Sequence, residues 1–145
     1  MVLVDVNILI YAHREDSPRH PAYQKWMEQT VSSGMMFSVP SIVRSGFLRL
    51  VTNPRIFPSP TPLETALAVL AALTDRPNHV ETHPGERHWG IFIELCRETD
   101  AKGGLVADAY LAALAIEVGA EWITADRDYS RFPGLKWKHP LDKRR

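Results

Sequence analysis

The sequence contains a single cysteine and carries no formal net charge. Cys96 is the only cysteine among 145 residues, so the chain has no intramolecular disulfide and no zinc site built on several thiolates. The 17 lysines and arginines balance the 17 aspartates and glutamates, so any polyanionic partner has to be held by local patches. The low cysteine usage is typical of a reducing compartment, and we expect a cytoplasmic location.

Long apolar runs and common nucleotide or zinc motifs are also missing. No stretch approaches the roughly 20 apolar residues that cross a membrane, and no basic signal-peptide segment follows Met1. We therefore expect a soluble, unprocessed protein without membrane contact. The pair Gly103 and Gly104 is not followed by the lysine and the serine or threonine of a phosphate-binding loop. The spacings of the six histidines match no zinc-binding motif. The sequence therefore gives no indication of a P-loop hydrolase, and solvent-exposed or structural roles explain the histidines better than zinc binding does.

Strand-like and helical segments alternate along the chain, whose length suits one domain, 1–145. The apolar periodicity predicts strands at residues 2–4, 36–39, 79–82, 121–124 and 136–138. It predicts helices at residues 6–13, 22–31, 41–51, 63–73, 86–99 and 105–118. Pro18 and Pro21 are expected in the connection before the second helix. Strands separated by helices pair in parallel, so we expect an α/β fold, a three-layer α/β/α sandwich with a central, mainly parallel sheet.

Three aspartates stand at comparable places in this pattern. Asp5 ends the apolar run of the first strand, Asp126 follows the strand-like run 122–125, and Asp108 lies near the start of an alanine- and leucine-rich helix. Ligands of parallel sheets bind beyond the carboxyl ends of the strands, so these side chains can converge on one edge. Each also has a structural alternative: Asp5 can cap a helix, Asp108 can complement a helix dipole and Asp126 can form a turn.

The joint placement of three carboxylates predicts a divalent-metal site. Close together they would repel and one would bind a proton, whereas Mg²⁺ or Mn²⁺ prefers oxygen ligands and removes that conflict. Two polar neighbours are auxiliary candidates. Asn7 either hydrogen-bonds Asp5 or a metal-bound water, or it stabilises the turn, and Asp128 is either an auxiliary acid or a turn former.

Arginines accompany the acids in the sequence. Arg127 follows Asp126 directly, and Arg49 lies on the helical segment after the second strand. Both are candidates for contacts with phosphates, and a solvated helix face explains them equally well.

Four motifs in a fixed order span most of the chain: LVDVNILIYA (residues 3–12), FLRLVTNPRIF (47–57), DAYLAALA (108–115) and TADRDY (124–129). Together they resemble PIN-domain proteins, in particular the VapC-type toxins of bacterial type II toxin–antitoxin pairs. The resemblance implies an Mg²⁺- or Mn²⁺-dependent endoribonuclease that is cytoplasmic, acts on RNA, forms a homodimer and is inhibited by a VapB-type antitoxin. It also implies that Asp5, Asp108 and Asp126 match the family's first, third and fourth acidic positions.

One position departs from that family's pattern. An acidic residue usually precedes the Phe-Leu-Arg run in the helix after the second strand, and Gly46 stands there instead. The glycine indicates either close backbone packing or relaxed selection, and in either case a carboxylate of the family's pattern is missing. An alternative function is therefore a catalytically weak or inactive PIN fold that binds RNA or an antitoxin without cutting. A phosphatase of the haloacid-dehalogenase type is a poor match, because it needs a second aspartate where Asn7 stands.

Helical segments with apolar faces predict where other elements and partners pack. Residues 41–73 offer two amphipathic helices joined by a proline-rich loop, which suits a groove for an antitoxin helix or tail. In the helix predicted at 86–99, the apolar stripe expected to face the core consists of Trp89, Phe92, Ile93 and Cys96.

Overall fold

A four-stranded parallel sheet forms the centre of the fold in the computed structural model, which describes residues 1–143. The strands are β1 Val2–Val4, β2 Phe37–Ser38, β3 Glu121–Ile123 and β4 Trp137–Lys138, in the spatial order β2-β1-β3-β4. All three pairings are parallel, and Val4 of β1 lies opposite Ile123 of β3. Every residue of β1 is buried, as expected for a central strand that helices cover on both faces.

Within residues 1–143, six helices connect these strands: α1 Val6–His13, α2 His20–Ser32, α3 Ser41–Val51, α4 Leu63–Thr74, α5 His88–Thr99 and α6 Gly104–Val118. A 3-10 helix spans Arg127–Arg131. The chain crosses from β1 to β2 in one direction and from β2 to β3 in the other, so right-handed crossovers place helices on both faces of the sheet. The predicted α/β/α sandwich is thereby confirmed. In the same range, no helix is long and apolar enough to span a membrane.

Several details differ from the sequence-based expectation. β2 spans Phe37–Ser38 where residues 36–39 were predicted, and α5 begins at His88 where residue 86 was predicted. The strand predicted at 79–82 does not form; His79 makes one isolated parallel bridge with Phe37 instead. β2 is only two residues long, so it offers little edge for a further strand to pair with. α2 begins at His20, before the position predicted, because Pro21 lies in the first helical turn, where a missing amide hydrogen breaks no helical hydrogen bond.

α6 lies close to the sheet because its buried side chains are small. The fully buried small residues of this helix are Ala109, Ala112, Ala113 and Ala115. The helix ends at Gly119, whose φ of 71° is in the left-handed region that favours glycine, as the sequence predicts. Asp108 immediately precedes the first of these alanines, so close packing of α6 carries its carboxylate towards the sheet edge.

Candidate active site

The acidic residues meet where the strand order of the sheet reverses. From β1 the chain crosses to β2 on one side, while β3 pairs with β1 on the other, and open parallel sheets bind ligands at such a point. A cleft of about 740 Å³ opens there. Its polar and small lining residues include Asp5, Asn7, Gly46, Arg49, Asp108, Tyr110, Asp126 and Tyr129. The three aspartates predicted from the sequence therefore share one cleft.

Asp5 is almost completely buried at the end of β1, with 4% of its surface exposed. Its Oδ1 accepts a hydrogen bond from the Val6 amide at 2.7 Å, which caps α1, and its Oδ2 accepts one from the Thr124 hydroxyl at 2.7 Å. Burial raises the pKa of Asp5 to about 6; the hydrogen bonds from Thr124 and Val6 oppose this rise, and the charges of Asp108 and Asp126 add to it. Asp5 is thus both a helix cap and an acid of the cleft.

Asn7 connects α1 to the segment after β3. Its amide nitrogen donates to Asp5 Oδ2 at 3.2 Å and to Thr124 Oγ1 at 3.3 Å. Its amide oxygen accepts from the Ala125 backbone at 3.2 Å. Of the alternatives for Asn7, the structure shows the hydrogen bond to Asp5, together with a contact between two strand ends.

Thr124 is a residue of the site that the sequence reasoning did not identify. It is fully buried, and besides bonding Asp5 its hydroxyl accepts the backbone amide of Asp126 at 3.0 Å. The signal available in the sequence was a hydroxyl residue between an apolar strand and an aspartate. Thr124 therefore links the carboxylate of the first acid to the backbone of the last.

Tyr129 is the second residue of the site that sequence reasoning missed. Its hydroxyl donates to Asp108 Oδ1 at 3.2 Å from a ring that is almost wholly buried. Burial raises the pKa of Asp108, the Tyr129 hydrogen bond opposes the rise, and the charges of Asp126 and Asp128 add to it. Burial and the neighbouring aspartates raise the pKa of Tyr129 far above its ordinary value, so this hydroxyl remains a proton donor.

Asp126 and Asp128 begin the 3-10 helix. Asp126 Oδ1 accepts a hydrogen bond from the Asp128 backbone amide at 2.9 Å, so Asp126 caps this turn. Asp126 also lines the cleft, so it combines the turn-forming role with a position in the site. Asp128 is exposed and lies outside the cleft lining. It acts on the site through its charge, which contributes to the raised pKa of Asp108. Its auxiliary role stays a prediction.

The two predicted arginines differ in position. Arg49 lines the acidic cleft. Arg127 does not: its two terminal nitrogens donate to the carboxylate of Asp142 at 3.1 and 2.9 Å, on an exposed surface. The structure therefore does not bring Arg127 to the site, because a partner near the end of the chain holds its guanidinium.

Gly46 lines the cleft from α3. A Cβ added there would meet Val6 Cγ2 at 3.6 Å, which is ordinary van der Waals contact. Close backbone packing, one of the two interpretations of this glycine, is therefore wrong. The position is a wall of the cleft with room for a side chain.

The chemistry of the cleft fits a hard divalent cation. Its acidic side chains offer only oxygen donors, and in residues 1–143 none of Asp5, Asp108 and Asp126 forms an ion pair. In the same range, no three His, Cys, Asp or Glu side chains are grouped closely enough to form a ready-made metal site. Mg²⁺ commonly takes one or two carboxylates and keeps several waters, so a complete protein cage is not required.

Several known proteins are similar to this chain in sequence. A family model described as PIN domain matches residues 2–135. Ribonuclease VapC43 of Mycobacterium tuberculosis is 44% identical over 142 residues, which cover 98% of this chain and 97% of that protein. Ribonuclease VapC25 of the same organism is 41% identical over 140 residues, covering 97% and 99%.

A solved structure is similar in fold. A chain of VapBC2 from Rickettsia felis, bound to a DNA fragment from its promoter, has a TM-score of 0.69 at 20% identity, and the match covers 95% of this chain and 98% of that one. At this identity the likeness concerns the fold alone. From the family model and the nearly full-length sequence matches, we conclude that the chain belongs to the PIN domain family and, within it, to the VapC ribonucleases.

Proposed function

We propose that the protein is the toxin of a toxin–antitoxin pair and cleaves RNA as an Mg²⁺- or Mn²⁺-dependent endoribonuclease. The observation that carries this proposal is the placement of Asp5, Asp108 and Asp126 in one cleft at the carboxyl edge of the sheet. Relatives named ribonucleases, 41% to 44% identical over nearly the whole chain, support RNA as the substrate. We propose the cytoplasm as the location, in line with the single cysteine.

In this mechanism Asp5 and Asp108 would hold the cation, and Asp126 would be a further direct or water-mediated ligand. When bound, the ion supplies the positive charge that makes a water molecule more acidic and screens a phosphate. Thr124 and Asn7 orient Asp5 through its Oδ2, and Arg49 contacts a phosphate oxygen of the RNA from the α3 wall. The water oxygen adds to phosphorus and loses a proton to solvent, while the P–O3′ bond breaks and the leaving oxygen takes up a proton, which gives a 5′-phosphate and a 3′-hydroxyl. RNA enters as a single strand or loop, because an A-form duplex hides its base edges.

Cleavage assays with different metals test this function. Purified protein is incubated with structured RNAs in Mg²⁺, in Mn²⁺ or in chelator, and we expect cleavage with either metal and none in chelator. Asp108→Asn is the matched control, because its side-chain oxygen still accepts the Tyr129 hydrogen bond while the charge is gone. Undiminished cleavage in chelator or by the variant would contradict the proposal.

A PIN fold that binds RNA or an antitoxin with little or no cutting is the second candidate, and Gly46 favours it. The cleft has room at this position, yet no carboxylate stands there. One acid fewer lowers the charge that holds a cation. RNA binding without cleavage at any Mg²⁺ or Mn²⁺ concentration would identify this function in the same assay.

We propose that a VapB-type antitoxin binds an apolar groove that is separate from the acidic cleft. The groove of about 490 Å³ is lined mainly by Leu9, Ala12, Met27, Val31, Phe47, Val69, Leu70 and Leu73. Residues of α1 and α2 form one wall of the groove, and residues of α3 and α4 form the other. The sequence predicted a groove within residues 41–73, which contribute only the α3 and α4 wall. Such a groove suits the apolar face of a short helix. The VapBC2 assembly supports an antitoxin as the partner.

We also propose a homodimer that forms through an apolar rim of the acidic cleft, defined as Ile42, Trp89, Phe92 and Val106. Three of these side chains line the cleft, and Trp89 packs on Phe92 with ring centroids 5.4 Å apart. Trp89 is 63% exposed, and Ile42 and Val106 are also exposed. Contiguous exposed apolar side chains mark interaction surfaces, and a second copy would bury them.

A further inference from the structure

Tyr129 contacts the acidic cluster without being an acid itself. Its hydroxyl donates to Asp108 Oδ1 at 3.2 Å, and its ring lines the cleft with 2% of the residue exposed. In the part of the chain that the structure describes, no other side chain hydrogen-bonds the Asp108 carboxylate. One carboxylate oxygen is therefore held by a neutral donor, and the other is left for a ligand.

The position of this hydroxyl is restricted by packing of the Tyr129 ring against two other aromatic rings. The Tyr129 ring lies 5.5 Å from the Trp122 ring and 5.7 Å from the Phe132 ring, measured between centroids. Its backbone belongs to the 3-10 helix that the Asp126 side chain caps. Tyr129 thus connects the turn that carries Asp126 to the carboxylate of Asp108 on α6.

We infer that Tyr129 is a positioning residue that sets the orientation of the Asp108 carboxylate for a divalent cation. This inference rests on the proposed metal-dependent function. A hydrogen bond to one oxygen restricts rotation of the carboxylate, so its free oxygen is presented in one direction before the ion arrives. Tyr129 acts through Asp108 and needs no contact with the RNA.

Replacing only the hydroxyl tests the inference. In Tyr129→Phe, the Mn²⁺ dissociation constant measured by calorimetry should rise about tenfold, the lower range for loss of a group that orients a metal ligand. In chelator, the midpoint of thermal unfolding should shift by no more than about 4 °C, because the ring still packs on Trp122 and Phe132. A Tyr129→Phe protein that binds Mn²⁺ as tightly as wild type overturns the inference.

Tyr110→Phe is the matched control. Tyr110 lines the same cleft, and its hydroxyl forms no hydrogen bond within residues 1–143, so Mn²⁺ affinity should not change. In an Asp108→Asn background, Tyr129→Phe should have no further effect on Mn²⁺ affinity, since its route of action is gone. If Tyr129→Phe weakens Mn²⁺ binding equally in the wild-type and Asp108→Asn proteins, its effect is a general structural one and the inference is overturned.

RNA cleavage measured in parallel separates this inference from the proposed function. If wild type cleaves RNA with Mn²⁺ and Tyr129→Phe binds the ion equally well, the inference fails and the function stands. If Tyr129→Phe weakens Mn²⁺ binding but wild type cleaves no RNA, the function fails and the inference stands. A wild-type protein that binds no Mn²⁺ overturns both.

Discussion

Gly46 of α3 lies next to Val6 of α1 in the lining of the acidic cleft. A Cβ added at Gly46 would lie 3.6 Å from Val6 Cγ2. That separation accommodates a Cβ at Gly46 without displacing Val6. The glycine is therefore not required by packing, and substitutions at this position report on the chemistry of the cleft.

Gly46→Glu should bind Mn²⁺ more tightly than wild type, because it adds a carboxylate to the wall beside Asp5 and Asp108. Gly46→Ala is the control, because both substitutions replace a poor helix former, which is worth about 0.5–1 kcal/mol in free energy of unfolding. In the metal-free glutamate variant, repulsion from Asp5 and Asp108 opposes this gain. Only the glutamate should alter metal affinity. Calorimetric Mn²⁺ titration beside a fluorogenic RNA assay measures both effects. Equal affinities of the Glu and Ala variants would show that α3 does not present this position to the metal.

Asp108→Asn should abolish RNA cleavage while leaving the metal-free protein at least as stable as wild type. The variant keeps the acceptor for Tyr129 and removes a charge that burial and two aspartates disfavour. Mg²⁺ at a hundredfold excess over its dissociation constant should stabilise wild type by about 2.7 kcal/mol, and the variant much less. Thermal unfolding with and without the metal measures this difference. Loss of folding in chelator would contradict the charge argument.

The stability of the metal-free protein should depend on pH through Asp5. Its pKa rises from 3.8 in the unfolded chain to about 6 in the folded protein, so the folded state binds the proton more tightly. Stability from this group is therefore full below about pH 4 and declines as pH rises through 6, by about 3 kcal/mol in total. Urea unfolding in chelator from pH 4 to pH 7 measures the decline.

Asp5→Asn is the reference for that titration. Groups with lowered pKa values, such as Asp16 and Asp142, change stability in the opposite direction, and they cancel in the difference between wild type and variant. The variant itself should be less stable at low pH, because an amide nitrogen in place of Oδ2 would face two donors, Thr124 and Asn7. Parallel pH curves for the two proteins would contradict the assignment to Asp5.

Val69→Glu should prevent binding of the antitoxin encoded by the adjacent small open reading frame. Val69 lines the apolar groove, and an unpaired carboxylate would there be taken out of water, which should weaken the complex about a hundredfold or more. Leu67→Glu is the control, since Leu67 lies on the same helix, is exposed and does not line the groove. Co-purification and rescue of growth are the measurements. Equal rescue by the antitoxin in both variants would place its binding site elsewhere.

Trp89→Ser should shift the protein from dimer to monomer in sedimentation experiments, because Trp89 is the most exposed member of the apolar rim. Met36→Ser removes a similarly exposed apolar side chain outside the rim and should not change the oligomeric state. A wild-type protein that sediments as a monomer at all concentrations would contradict the proposed dimer.

The fold and the three aspartates could be predicted because both follow from local pattern plus one rule about parallel sheets. Asp5 and Asp126 each follow an apolar strand, and the carboxyl ends of those strands meet at one edge. Thr124 and Tyr129 could not be assigned in the same way. Their roles depend on hydrogen bonds to Asp5 and Asp108, partners that are distant in sequence and whose side-chain geometry no periodicity encodes.

The face of α5 shows where periodicity alone is insufficient. The sequence pattern favoured a buried stripe that includes Trp89, whereas the structure buries His88 and Leu95 and exposes Trp89. α5 packs on α6, and His88 bonds the Tyr110 carbonyl at 2.9 Å, so a polar ring becomes suitable for the interior. Packing against a particular neighbour, which the sequence of α5 does not specify, selected the inward face.

Because of the hydrogen bonds of Asn7, side chains on the sheet side of the cleft are more constrained than those on the helical side. Asn7 and Thr124 join the ends of β1 and β3, so the position of Asp126 relative to Asp5 is tied to the pairing of these two strands. Helices α3 and α5 form the facing side, where Gly46 and Phe92 are free of such ties among the described residues. Substitutions on the helical side can therefore change the shape of the cleft while the sheet side keeps the positions of Asp5 and Asp126.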